Sequence, residues 1–301
     1  MADALGWAAF VGGLIGTLVL MADRGVKDGL RLAWFIATLA VPAWFTVSIR
    51  SIGLDAVTGI ALATWIALLT RPFTGVRTKW MMSDLLLGAM ILSCIVADLK
   101  NQLLIPGTVL ELVRTWIFPY LLGRVFLTSW NDMGRTLPVV MVLATVLSVF
   151  GIVEALTHTN ILAVATGKSW ELLDKAEGFR WGLKRAQGIT NHPIYFGLLL
   201  ALTLPWVLMG YRAARERQAP RWWIAVPYLV AAAAIVTVSR SAQLAILIVL
   251  AADQFFRRPT YRPYMVLMAI VGVIVFLVFR EEALDLLGAY AGEGKTGEDW
   301  V

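Results

Sequence analysis

Long apolar runs broken by short polar stretches recur along almost the whole chain. A bilayer's hydrocarbon core is about 30 Å thick and takes about 20 apolar residues per crossing helix. On that measure candidate spans cover 5–21, 30–47, 52–70, 81–97, 103–127, 137–156, 193–211, 222–239, 241–256 and 263–279. The stretch 222–256 is too long for one crossing, so a tight reversal is placed at Ser239-Arg240-Ser241. The span 103–127 is the least hydrophobic and carries Glu111, Arg114 and Arg124. The expected architecture is all-α, a polytopic transmembrane helical bundle of about ten spans. It occupies 1–279, has an external loop at 157–192, and is followed by 280–301 as the start of a further external loop.

Composition agrees with the pattern. Of 301 residues 59% are hydrophobic and only 15% charged, against about 25% charged in soluble domains. Mean hydropathy is +0.75. No stretch is left for a separate soluble domain. The net charge of +6 does not point to nucleic acid, because membrane proteins collect basic residues on one side for topological reasons. The single cysteine, Cys94, lies inside an apolar run, which rules out an intrachain disulfide and thiol-based metal chemistry. Met1-Ala2-Asp3-Ala4 has no basic region before the first apolar run, so that run is expected to remain as a span rather than be cleaved.

Basic residues set the orientation. Loops after the odd-numbered spans hold Arg24, Lys27 and Arg31; Arg71, Arg77 and Lys79; Arg124 and Arg135; Arg212, Arg215, Arg217 and Arg221; and Arg257, Arg258 and Arg262, which is 15 of the 26. Loops after spans two, four and eight hold one each: Arg50, Lys100 and Arg240. The positive-inside rule then puts the N-terminus outside. One loop departs from the alternation. The external segment 157–192 carries Lys168, Lys175, Arg180, Lys184 and Arg185 beside Glu171, Asp174 and Glu177. Its excess of positive charge sits next to the membrane, in Arg180-Trp181-Gly182-Leu183-Lys184-Arg185. It is either a solvated loop that translocates regardless of charge or a site for an anionic group.

The segment Arg185-Ala186-Gln187-Gly188-Ile189-Thr190-Asn191-His192-Pro193 is the strongest local motif. Pro193 suits a first helical turn, with Asn191 or His192 as its cap. A helix N-terminus offers unpaired N–H groups and partial positive charge, which suit a phosphate. A guanidinium such as Arg185 adds a two-pronged donor. Ordinary capping beside an interfacial arginine is the plainer alternative. Arg240 lies between two apolar runs, where a charge is costly unless it faces a polar cavity, a partner or the lipid headgroups. Together, two arginines on one outer face fit a diphosphate, with Arg180, Lys184 and Asn191 as neighbours. Glu111 and Arg114, at i and i+3, share a helix face and are expected to form a structural ion pair. Glu154 ends a span at the outer face, where it can cap or pair with a basic loop residue. His192 lies beside the basic cluster and is the better placed of the two histidines for catalysis, while His158 reads as a surface loop residue. No His/Asp/Glu cluster has metal-ligand spacing and no phosphate-loop or dinucleotide motif occurs. No cofactor is therefore expected, and the energy of any reaction must come from the substrate.

Pro119-Tyr120-Leu121-Leu122-Gly123-Arg124, Gly151-Ile152-Val153-Glu154-Ala155-Leu156-Thr157, Arg185-Ala186-Gln187-Gly188 with His192-Pro193 and Gly197, and Ser239-Arg240-Ser241-Ala242 together resemble the O-antigen ligase and O-antigen polymerase family of bacterial envelope glycosyltransferases, over roughly 115–260. The resemblance implies transfer of a glycan from a polyprenyl diphosphate to an acceptor hydroxyl, on an acceptor glycan or lipid, at the outer face of the cytoplasmic membrane. The anomeric centre inverts and no metal takes part. Arg185 and Arg240 would neutralise the leaving diphosphate. The family's general-base histidine belongs to a large external loop followed by further spans. This sequence ends where that loop should begin: either it is truncated, which is the expectation, or it is a divergent member, or His192 substitutes as the base. A transporter or flippase for a lipid-linked or anionic solute is the rival reading, and a non-catalytic membrane assembly factor is a third.

Overall fold

In the computed structural model the described residues are 2–49, 52–70, 81–100, 109, 111–127, 129–167, 179–180 and 183–278. They form an all-α protein. The chain divides into two compact units, Met1–Ile246 and Leu247–Val301.

The first unit opens with α1 (Ala2–Arg24), α2 (Val26–Ala40) and α3 (Ala56–Thr70). These three pack into one core around Leu30, Ala33, Ala37, Ile60 and Ala63. Small residues let their backbones meet. A side chain at Gly13 or Gly59 would collide with the backbone of the facing helix, and one at Gly29 with that of Leu20 and Met21. The second core joins α6 (Trp130–Thr157), α8 (Pro193–Arg215) and α9 (Val226–Val236) through Val140, Met141, Phe196, Leu200, Val207 and Val230, all fully buried. Helix α2 packs on α6 and so connects the two cores. Between these groups lie α4 (Met82–Lys100), a π-helical turn (Val113–Ile117) leading into α5 (Phe118–Phe126), and the short α7 (Ile161–Ala165). Two small hairpins are the only strands among the described residues: β1 (Val47–Ile49) with β2 (Ile52–Leu54), and β3 (Phe179–Arg180) with β4 (Leu183–Lys184). Helix α10 (Arg240–Arg257) begins in the first unit. The second unit holds its C-terminal part and α11 (Arg262–Val278), and there Arg262 donates to the carbonyls of Phe255 and Phe256.

Among the described residues four helices are long and apolar enough to cross a membrane: Asp3–Arg24, Met82–Lys100, Trp130–Thr157 and Pro193–Arg215. The remaining predicted spans correspond to shorter helices, or lie partly outside the described residues, as 103–127 does. The predicted span 30–47 shows why length falls short. Pro42 forces Val41 into an extended conformation (φ −93, ψ 123), so α2 stops at Ala40 and the chain turns into the β1–β2 hairpin. Helix α4 differs from the other long helices in having no buried residue. Its first turn is anchored by Asp84, which takes hydrogen bonds from Tyr120 and from Arg124 at 2.9 Å.

The start of α6 is fixed by a reciprocal cap. Ser129 accepts from the Asp132 N–H and Asp132 accepts from the Ser129 N–H, both at 3.2 Å. Asp132 also receives Lys27 at 2.7 Å and Arg31 at 3.0 Å. Arg31, with 3% of its side chain exposed, binds Asp28 as well, and Arg135 reaches Asp28 at 2.9 Å. This network ties the first turns of α2 and α6 together. Removing one partner of a buried ion pair costs about 3–5 kcal/mol because the other charge stays buried. Asp132→Asn is therefore expected to destabilise the protein by about 3 kcal/mol, read as a lowered unfolding midpoint in detergent. Asp23→Asn, in the exposed Arg24–Asp23 pair, should leave that midpoint unmoved.

Candidate functional site

At the opposite end of α6 the chain 184–189 runs as a buried loop. Loops normally lie on the surface, since buried backbone groups need partners. Here Glu154, three residues before the end of α6 and 3% exposed, supplies them. Its Oε2 accepts from the Gly188 N–H at 2.8 Å and the Asn160 amide at 3.2 Å. The same Asn160 nitrogen donates to the Gly188 carbonyl at 2.9 Å, while its oxygen caps α7 by accepting from Ala163 at 3.0 Å. Lys184 donates to the His158 carbonyl at 3.0 Å. The Ala43 N–H donates to the Ile189 carbonyl at 2.7 Å, and the Trp44 ring N–H to Thr166 at 3.3 Å. Three segments distant in sequence, 41–46, 157–166 and 184–192, are thus laced into one cap over this end of the bundle.

Two close approaches lock the cap to the helices. Gly188 has φ +56, and a side chain there would run into the Phe196 ring, as would one at Gly151. Phe196, fully buried, is held between α6 and the loop. The next residue, Gly197, has no room for a side chain against Ala242, and Thr237 also lies within contact distance. One turn of α8 therefore touches the loop that carries Arg185 on one side and the start of α10 on the other.

Each predicted residue can be located. Lys184 and Arg185 are buried, with 8% and 9% exposure, and Asn191 is exposed. His192 is the N-cap of α8, and its Nδ1 accepts the Ile194 N–H at 3.2 Å. Burial, and then the nearby Arg185 charge, hold its pKa below the ordinary imidazole value. A neutral imidazole that accepts at Nδ1 carries its proton on Nε2, so the outward nitrogen is a donor. Arg240, half-buried, is the first residue of α10. It follows Ser239, which is 1% exposed and has no hydroxyl partner among the described residues. Just before these, Val238 sits at φ +48, an uncommon place for a β-branched residue. The Arg180 backbone pairs with Leu183, and its side chain lies outside the described residues. Glu111 and Arg114 bond to each other within the π-helical turn region, and Arg114 also binds Asp55 at the start of α3. That group is separate from the cap.

Sequence reasoning left Glu154 with an undefined partner and missed Asn160 and Trp44. Only Glu154 gave a signal, as a carboxylate inside an apolar run. Among the described residues no three of His, Cys, Asp and Glu gather as a metal ion would need. Comparison with protein-family models, curated proteins and solved structures finds no match to this chain.

Gly188→Ala is expected to cost about 3 kcal/mol, from a left-handed alanine and a displaced ring. Phe196→Leu should cost less in that background than alone, which a double-mutant cycle of unfolding midpoints measures. The His192 cap has its own pH signature. A lowered pKa means that its stabilising contribution is complete above the unfolded value of about 6.5 and is lost as pH falls through the depressed folded value. Against His192→Asn, whose cap does not titrate, the native protein should lose relative stability on acidification below about pH 6.5. Parallel midpoints down to pH 5 would remove this role.

Proposed function

We propose that the protein is a membrane glycosyltransferase of the O-antigen ligase or polymerase type, acting in cell-surface polysaccharide biosynthesis in the bacterial cytoplasmic membrane. In this reading the chain crosses the bilayer about ten times, its N-terminus is outside, and the cap lies at the outer face. A polyprenyl-diphosphate-linked glycan and an acceptor glycan or lipid are its substrates.

The observation that carries the reading is the meeting of two arginine-bearing segments on one helix N-terminus. Gly188 on the Phe196 ring and Gly197 on Ala242 bring the Arg185 loop and the Ser239–Arg240 junction to the first turn of α8. Guanidinium groups beside a helix N-terminus suit a diphosphate. In the reaction the acceptor oxygen bonds to the anomeric carbon as the carbon–oxygen bond to the diphosphate breaks. The departing diphosphate takes the electron pair, Arg185 and Arg240 offset its charge, and the hydroxyl proton passes to water at the open face. Preorganised donors of this kind contribute about 3–4 kcal/mol each to a transition state. His192, with its proton on Nε2, serves as a further donor to the leaving group rather than as a base.

Purified protein in nanodiscs, given a labelled polyprenyl-diphosphate oligosaccharide and an acceptor glycan, is expected to form the transferred product. Arg185→Ala and Arg240→Ala should each slow it by about 100-fold or more at unchanged protein level. Equal product in both variants would overturn the assignment. So would movement of intact lipid-linked glycan between leaflets without product, which is what a flippase would show.

A further inference from the structure

The end of α8 away from the cap carries Arg212, Arg215, Arg217 and Arg221 against one acid, Glu216, and no lysine. Charge placed for topology alone is served by lysine as readily as by arginine, and it makes no demand on the backbone. This turn does make one. The Gln218 N–H bonds to the Ala213 carbonyl at 2.8 Å and the Arg217 N–H to the Ala214 carbonyl at 3.2 Å. That pair of bonds ends a helix through one left-handed residue, which is usually glycine. Here it is Arg217, at φ +61, where a Cβ crowds the following carbonyl oxygen. Glycine would suit the turn better, so local folding gives no reason for an arginine at this position.

Helix capping does not explain the arginines either. The carbonyls of Arg212, Ala213 and Ala214 are taken by the N–H groups of Glu216, Gln218 and Arg217, so none of the three needs an arginine side chain. The turn is also well braced. Arg215 donates to the Tyr211 hydroxyl at 3.3 Å, and its guanidinium stands 5.8 Å from the centre of that ring. After Pro220 a single 3₁₀ turn (Arg221–Ile224) packs back on α8, with Trp223 buried and Trp222 exposed beside it. Arg215, Arg217 and Arg221 are exposed as well. Since α8 is long and apolar enough to cross a membrane, the turn that follows it meets the bilayer surface. Exposed tryptophan settles at that level, its apolar ring among acyl chains and its N–H among headgroups. The anion found there is phosphate, and a guanidinium fork takes two of its oxygens.

We infer that the turn Arg212–Trp222 is a binding surface for anionic phospholipid of the surrounding bilayer. Arg215, Arg217 and Arg221 take the headgroup phosphates, and Trp222 lies against the upper part of the acyl chains. Arg217 holds a backbone conformation made for glycine because its charge is needed at that point of the surface. This surface is at the opposite end of the first unit from the cap and is independent of the function proposed above.

The full chain in detergent micelles is titrated with phosphatidylglycerol and, separately, with phosphatidylcholine, and bound lipid is counted by native mass spectrometry. Arg217→Gly relieves the left-handed backbone, so its unfolding midpoint should equal or exceed the native one. Its affinity for phosphatidylglycerol is nevertheless expected to fall about fivefold, the weight of one arginine at an anionic surface. Adding Arg221→Gln should bring the loss to about 25-fold. Arg24→Gln removes the same charge from the exposed pair with Asp23 at the same end of the unit, and should leave that affinity unchanged. Equal losses in Arg24→Gln and Arg217→Gly would reduce the turn to ordinary topological charge and overturn the inference. Phosphatidylcholine bound as tightly as phosphatidylglycerol would do the same. Displacement of the lipid by an equal concentration of glycerol phosphate would make this a site for free phosphate, and displacement by polyglutamate a site for an acidic protein. Either result ends the assignment to the bilayer.

Discussion

One carboxylate decides the shape of the capped end of this protein. A buried loop is costly because each peptide group that leaves water must be paired. Glu154 meets that demand by taking the Gly188 N–H of the loop 184–189 and the Asn160 amide, which in turn holds the Gly188 carbonyl. Lys184 and Arg185 are thus carried inside the bundle rather than over it. Without the acceptor at the end of α6 the Gly188 N–H would be buried unpaired, and Gly188 would be held against Phe196 only through its carbonyl and its neighbour Ile189.

The two ends of the first unit use charge differently. At the start of α2 and α6, Asp28 and Asp132 are matched by Lys27, Arg31 and Arg135, a network of ion pairs that clamps helix termini. At the other end a single carboxylate serves backbone and amide donors of the cap, and the cation beside it, Lys184, belongs to the same buried loop. The first arrangement is a fastening. The second concentrates positive charge around one helix N-terminus, which is where the electrostatics favour an anion.

Much of this was legible in the sequence, for identifiable reasons. Long apolar runs between basic loops give helices wherever periodicity and length agree, as in Trp130–Thr157 and Pro193–Arg215. Pro193 after His192 marked a helix start, and the structure uses His192 as its cap. The break near Ser239 was visible as a polar triplet between apolar runs, and α9 and α10 part there. Other features could not be read. The end of α2 at Ala40 depends on Pro42 acting through Val41 inside an otherwise apolar run. The burial of Arg185 depends on acceptors supplied by Glu154 and Asn160, a tertiary matter with no local pattern. The role of Glu154 was half legible, since a carboxylate in an apolar run has to be paired, but its partners were backbone groups that carry no sequence signature. Arg114 was matched with Glu111 by spacing, whereas Asp55, its other partner, lies 59 residues away and leaves no local mark.

Helix α4 carries a mechanical consequence. It has no buried side chain and is tethered at its first turn through Asp84. In a bilayer, a helix tethered at its first turn with no buried residue would take its tilt more from the membrane's thickness than from packing. Thinning or thickening of the membrane would then swing it about the Asp84–Arg124 pivot, and α5, which carries Arg124, would feel that torque first.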